Sequence, residues 1–138
     1  MKIVANVGMA GAGKSEVAHV FGQNGYIRIR FGDITDEEVE RRGLRLNETN
    51  ERFVREALRN EHGMAAYAKL SIPRIDKALE RANVVVDGMY SWEEYLLLRK
   101  HYGEKLSVVT VWASSRKRYF RLSVREVRPL TRKEAEER

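Results

Sequence analysis

Four short apolar runs separated by amphipathic stretches set the first expectation. "KIVANV" (Lys2 to Val7), "YIRIRF" (Tyr26 to Phe31), "NVVVDG" (Asn83 to Gly88) and "LSVVTVWA" (Leu106 to Ala113) are rich in β-branched and aromatic residues. Each reads as a strand closed by a turn residue or a polar break. The third run is continuous in its apolar character, as a strand covered on both faces would be. Between the first two, Val17, Ala18 and Phe21 recur at helical spacing, so a helix should run from Lys14 to about Gly22, where "GQNG" stops it. From Thr35 to about Leu79 the pattern is helical, with breaks expected at "RRGLRLN", at Gly63 and at Pro73. A further helix should span Ser91 to about His101, with Ser91 as N-cap and Glu93 and Glu94 in its first turn. The basic segment after the fourth strand reads as helical until Val127-Arg128-Pro129. Strands alternating with helices predict an α/β fold with a parallel sheet and right-handed crossovers.

At 138 residues the chain fits one domain with a single core, and no repeat or low-complexity linker divides it. A charged fraction of 33% and a mean hydropathy of −0.53 exclude an integral membrane protein. Lys2, the apolar run and Ala10 to Ala12 imitate a short secretion signal, but glycines interrupt the apolar part and only one charge precedes it. With no cysteine, disulfides, thiolate metal sites and cysteine nucleophiles are excluded, and a reducing cytoplasm is the expected compartment. The net charge of +6 raises the question of nucleic acid. Nearly all of it is local, because residues 116–138 carry an excess of five positive charges.

"VGMAGAGKSEVA" (Val7 to Ala18) carries the sharpest chemistry. Gly8, Gly13, Lys14 and Ser15 satisfy G-x-x-x-x-G-K-[ST] between a buried strand and a helix start. The loop Gly8, Ala10, Gly11, Ala12, Gly13 with Lys14, Ser15 and Glu16 would wrap backbone N–H groups around phosphate oxygens. Lys14 would neutralise the β- and γ-phosphates and Ser15 would hold Mg²⁺, which makes Mg-ATP the expected cofactor. The same cradle serves kinases, switches and motors, so the other strand ends must discriminate.

Asp33 follows the second run and Asp87 ends the third, both where an open parallel sheet places its ligand crevice. Asp33 could orient or deprotonate an acceptor hydroxyl, and Asp87 with Gly88 could bind Mg²⁺ or fix the acceptor. Asp33 equally fits an N-cap, and Asp87-Gly88 a turn. The excursion of about residues 35–80 should wall an acceptor pocket, with Arg41, Arg42, Arg59, Asn47 and Asn50 as donors for an anion, or as surface groups on amphipathic helices. Arg118, Arg121, Arg125, Arg128 and Arg132 recur at three- and four-residue spacing over a region of about 115–138, a stripe that could close on a triphosphate as a lid. A solvated helix face or a nucleic-acid patch would have the same spacing.

"GMAGAGKSE", "FGD", "ALRNEHGMAAYA", "VVVDGMYSWEEY" and "RPLTRKEAEER" together resemble the small P-loop kinases related to adenylate kinase and dephospho-CoA kinase. They look in particular like an uncharacterised prokaryotic dephospho-CoA kinase-like branch. The resemblance runs along essentially the whole chain. It implies a three-layer fold, a helical acceptor arm and a lid in which Arg121 and Arg125 contact ATP. It further implies Arg59 as an acceptor-phosphate contact and Asp33 as the residue that handles the acceptor hydroxyl. Met89, Tyr90 and Ser91 stand where adenylate kinases usually carry an arginine that grips the acceptor phosphate. Proteins of this kind also continue into a further helix and a fifth strand, so a four-stranded sheet with Leu106 to Trp112 on a bare edge is expected here.

The expected activity is transfer of the γ-phosphate of ATP to a small nucleotide-like or dephospho-CoA-like acceptor. Two alternatives stay open: an ATP-binding module with little or no turnover, and nucleic-acid binding through the basic helix. A homo-oligomer is a further expectation.

Overall fold

The computed structural model describes residues 1–124, 130, 131, 133 and 134. Its four strands are β1 (Ile3–Val7), β2 (Ile27–Arg30), β3 (Val84–Asp87) and β4 (Leu106–Thr110). They form one parallel sheet in the order β2-β3-β1-β4, with Ile3 opposite Val84 and Leu106, and Ile27 opposite Val84. Among the described residues six α-helices accompany it: α1 (Lys14–Gln23), α2 (Gly32–Arg41), α3 (Glu48–His62), α4 (Ala66–Leu79), α5 (Trp92–Tyr102) and α6 (Ser115–Val124). No helix among the described residues is long and apolar enough to cross a membrane.

The three layers follow from strand alternation. Ile3 and Ala5 of β1, Val84 and Val86 of β3 and Leu106 of β4 share one face with Ala68, Ile75, Ala78 and Leu98 of α4 and α5 in a single buried core. Val4 and Val85 point the other way, toward α1, which lies along β1, β2 and β3. This is a three-layer P-loop kinase-like fold. The strands connected through α1 and through α5 lie on opposite sides of β1, so helices must cover both faces.

Three boundaries differ from the sequence reading. β4 ends at Thr110 rather than Ala113, leaving Trp112 82% exposed. α2 begins at Gly32, directly after the half-turn at Phe31, rather than at Thr35. α4 runs through Pro73, where a break was expected. The proline is on the exposed side of the helix, where water can satisfy the carbonyl one turn earlier, while Ser71, Ile75 and Ala78 hold the inner side in the core. The long excursion therefore divides: α4 belongs to the layer on the sheet, and α2 with α3 stands away from it as an arm.

Candidate functional site

Because the strands are parallel, β1, β2 and β3 all deliver their following loops to the same edge of the sheet. That edge collects the glycine-rich loop, Asp33 and Asp87. The loop leaves β1 at Gly8 and enters α1 through Gly13, which has a φ of 108°. No side chain among the described residues caps α1, so its first-turn N–H groups face the loop as an anion cradle with the helix dipole behind them. Lys14 Nζ folds back over the cradle to donate to the Gly8 carbonyl at 2.6 Å, and Ser15 and Glu16 are exposed at the mouth.

Glycine at position 11 is enforced from outside the loop. A Cβ there would lie 2.6 Å from the Arg118 carbonyl oxygen, because α6 rests directly on the cradle. Leu122 and Leu130 bury themselves against Ala10 and Tyr119. Arg121 Nη1 donates to the carbonyls of Gly11 and Ala12 at 3.2 and 3.3 Å. Of the arginine stripe, Arg118 is buried, donating to Ser115 Oγ at 3.0 Å and lying 5.5 Å from the Tyr119 ring centre. Arg125, Arg128, Pro129 and Arg132 lie outside the described residues.

Asp87 ends β3 and is almost wholly buried, with Gly88 at φ 101° turning the chain away. Arg28 of β2 donates to Asp87 Oδ2 through Nε at 3.0 Å and through a second, shorter contact from Nη2. Asp33 sits in the first turn of α2, paired with Arg30 at 2.7 Å. The two arginines of "YIRIRF" thus each hold one of the two carboxylates. Neither was singled out from the sequence, although the R-x-R alternation was visible; which carboxylate Arg28 meets depends on strand register, whereas Arg30 meets Asp33 three residues on. Asn6 was also missed. It interrupts an apolar run, lies opposite Asp87 in the ladder and is fully buried, its Nδ2 donating to the Lys14 carbonyl at 2.6 Å. Its Oδ1 is buried with no hydrogen-bond partner.

The arm reaches this edge through Arg59 alone of the donors proposed from the sequence. Arg59 is stacked between Tyr67 and Tyr90, 5.3 and 5.4 Å from their ring centres, and its Nε is buried without a partner. Tyr67 is anchored by a 2.6 Å hydrogen bond with Thr35. Arg41 and Arg42 instead pair with Glu38 one turn back on α2. Asn47 caps α3, accepting from the Asn50 N–H at 2.8 Å, and Asn50 donates to the Arg45 carbonyl. Those four residues satisfy local backbone and charge, which is why their types looked like ligand donors.

Beyond β3, Ser91 and Glu94 form a reciprocal cap on α5, with Glu94 Oε1 accepting from the Ser91 and Tyr90 N–H groups at 2.9 and 3.2 Å. Burial pushes the Glu94 carboxyl up from its ordinary value, against the pull of those N–H donors and of Arg59. Next to this loop lies an open groove of about 750 Å³ lined by Met9, Met89, Tyr90, Trp92, Tyr95 and Val108 among others. It begins at Gly8 and Met9, so an occupant would touch the entrance of the phosphate cradle.

Comparison with known proteins agrees with this geometry. A family model described as an AAA domain matches residues 7–137. UPF0200 proteins of Thermococcus sibiricus and Thermococcus kodakarensis are 35% and 37% identical, each over 89% of this chain and over 66% and 68% of their own lengths. A UPF0200 protein of Methanosarcina barkeri is 37% identical over 91% of this chain and 67% of its own. The chain thus spans about two thirds of the length of these curated relatives. Among solved structures, a gluconokinase from Sinorhizobium meliloti superimposes with a TM-score of 0.61 at 18% identity, covering 99% of this chain and 71% of that one. A chain of a Pnkp1/Rnl/Hen1 complex does so at 0.52 and 17%, covering 84% and 37%. At such identities the structural likeness shows the fold alone. On its sequence relatives and its phosphate cradle, the chain belongs to the UPF0200 family of P-loop, AAA-domain proteins.

Proposed function

We propose that the protein is a P-loop phosphotransferase that moves the γ-phosphate of ATP to a nucleotide-like or dephospho-CoA-like acceptor in the cytoplasm. The observation that carries this reading is the gathering of a phosphate cradle, two carboxylates and a stacked arginine at one edge of the sheet. Motors and switches need the cradle and a carboxylate for the metal; an acceptor needs Asp33 and Arg59 as well. Lys14 would balance phosphate charge, and Arg121, already against the cradle, would stabilise charge on the transferred group. Arg125 would join it from the same lid region. Asp33 would accept the proton of the acceptor hydroxyl, Arg59 would take an acceptor anion, and the turn at Gly88 would let the acceptor approach.

The donor set fits magnesium. The Ser15 hydroxyl and the Asp87 carboxylate, whose Oδ1 lies outside the Arg28 pair, are hard oxygen ligands, and the orphaned Asn6 Oδ1 adds an acceptor beside them. Ser15 and Asp87 would hold Mg²⁺, which would supply positive charge against the phosphates.

The groove favours a ring-bearing acceptor over a polyol such as the substrate named for the gluconokinase neighbour. Each sugar hydroxyl buried without a partner would lose about 1–3 kcal/mol, and these walls are mostly aromatic, thioether and aliphatic. A second reading, nucleotide binding without transfer, draws on the fact that both carboxylates are already engaged by arginines. ADP release from Mg-ATP, measured against dephospho-CoA, nucleoside monophosphates, nucleosides and gluconate, separates the two. Release stimulated by one ring-bearing acceptor and reduced by about 100-fold or more in Lys14→Ala is the expected result. Nucleotide binding with no stimulation by any acceptor would favour the second reading.

A further inference from the structure

The ladder register makes one contact of β2 unexpected. Arg30 is directly opposite Asp87, and Arg28 is opposite Val85, two residues back. Yet Arg30 turns forward to Asp33, while Arg28 reaches diagonally across the strands to Asp87. Both bonds from Arg28 fall on one oxygen, Oδ2. The Asp87 side chain is only 8% exposed, whereas the Arg28 side chain is 34% exposed. A carboxylate so shielded from water depends on its partner for charge compensation, and a charge-assisted pair in such a place is stronger than its surface equivalent.

Magnesium and guanidinium compete for the same kind of acceptor, and their like charges repel across a shared carboxylate. We propose that Arg28 is the built-in counter-ion of the magnesium site. Its guanidinium occupies Asp87 in the nucleotide-free protein, and Mg-nucleotide must draw the carboxylate away from it or share it. Arg28 thereby sets the magnesium concentration at which nucleotide is retained, and is a positioning residue rather than a catalytic one. The inference rests on the assignment of Asp87 to the metal. Removing the arginine frees the carboxylate for the cation, so the magnesium requirement falls. Affinity for nucleotide without metal should change little, because Arg28 donates to Asp87 while Lys14 donates to the Gly8 carbonyl of the loop.

The test is a titration of a fluorescent ATP analogue onto the full chain across a range of Mg²⁺ concentrations and in chelator. The parent is compared with Arg28→Gln, Arg28→Lys, Arg30→Gln and Asp87→Asn, with thermal unfolding of each as a check on folding. The magnesium midpoint for analogue retention is expected to fall about 3- to 10-fold in Arg28→Gln, the range of one ordinary net hydrogen bond, because water partly screens the exposed guanidinium. Arg28→Lys should lie between, and affinity in chelator should stay within about twofold. Should Arg28→Gln not fold, the lysine variant, which retains the charge but not the two-pronged contact, carries the comparison. Arg30→Gln removes the same charge from the same strand, so an equal shift there would show a general field effect and overturn the proposal. An unchanged or raised midpoint in Arg28→Gln, with Asp87→Asn raising it, would overturn the counter-ion role and leave the metal assignment standing. No shift in Asp87→Asn would remove the assignment itself.

Discussion

The two faces of the sheet are built from alternate residues of the same strands and are put to opposite uses. Toward α4 and α5, Ile3, Ala5, Val84, Val86 and Leu106 contribute to a dry aliphatic core. Toward α1, Val4 and Val85 give way at the strand ends to Asn6, Asp87, Arg28 and Arg30, every one of them bonded to another part of the site. A shift of one residue in β3 would place Asp87 in the core and Val86 beside the loop. The difference teaches that one face fixes the register and the other uses it: the aliphatic side makes slippage prohibitive, so polar side chains opposite can be placed to hydrogen-bond accuracy.

Mutations on the two faces should separate stability from binding. The largest effect is expected on the dry side. Ile75 is fully buried between α4 and the sheet, and Ile75→Ala should cost about 2–5 kcal/mol through lost transfer energy and an unfilled cavity. Denaturant unfolding measures that loss, while nucleotide affinity per folded molecule should stay at the parent value. A parallel fall in intrinsic affinity would show that the faces are not separable.

Next in size is Asn6→Ala. It removes the Asn6 donor to the Lys14 carbonyl, one hydrogen bond worth about 0.5–1.5 kcal/mol net. Because the bond ties the base of α1 to β1, nucleotide binding should also weaken by about tenfold, equivalent to ~1.4 kcal/mol. Calorimetric titration of nucleotide checks this, and Asn6→Ala with parental affinity would remove the proposed link between β1 and the cradle.

The contrast between the faces also explains what was legible in the sequence. Continuous aliphatic runs and the spacing of Gly8, Gly13, Lys14 and Ser15 encode local geometry, so the strands, their parallel direction and the cradle could be read directly, but not the strand order. The carboxylates at strand ends were legible for the same reason, as was the cap at Ser91. Arg28 was not, because its partner is fixed only by pairing across strands, and Arg30 meets Asp33 only through the turn from β2 into α2. Arg41, Arg42, Asn47 and Asn50 misled in the opposite sense: they satisfy partners within a turn or two, and a ligand-binding residue type has no mark that distinguishes it from a local cap. Tyr67 and Tyr90 meet around Arg59 only once α3, α4 and the loop after β3 have come together.

The comparison sharpens further through two glutamates whose protonation works in opposite directions. Glu94 is fully buried at the start of α5, and burial raises its pKa from the ordinary 4.5. The folded state therefore holds that proton more tightly than the unfolded chain, so its contribution is full below pH 4.5 and is lost as pH rises through the folded value. Glu94→Gln keeps an oxygen for the α5 cap and removes the buried charge. It should flatten the fall in stability above pH 4.5 and leave the acid side unchanged. Chemical unfolding at a series of pH values measures it; an unaltered slope would mean that Glu94 stays charged and matched by Arg59.

Glu38, on the arm, gives the smallest effect and the reverse sign. Hydrogen bonds from Arg41 and then Arg42 lower its pKa from 4.5 to about 2. Stability from these pairs is full above pH 4.5 and disappears as pH falls from there toward 2. The pairs sit on the outer surface of α2, with the Arg41 side chain 71% exposed, so water and salt screen them and the contribution should be below about 1 kcal/mol. Glu38→Gln should therefore shallow the acid limb of the stability profile slightly, and about 0.5 M salt should shallow the parent's limb in the same way. Added salt should do much less to the Glu94 effect, because that carboxyl is shielded by protein. If salt moved both limbs equally, Glu94 would be exchanging with solvent, and the distinction between a sealed core and an open arm would not hold at the start of α5.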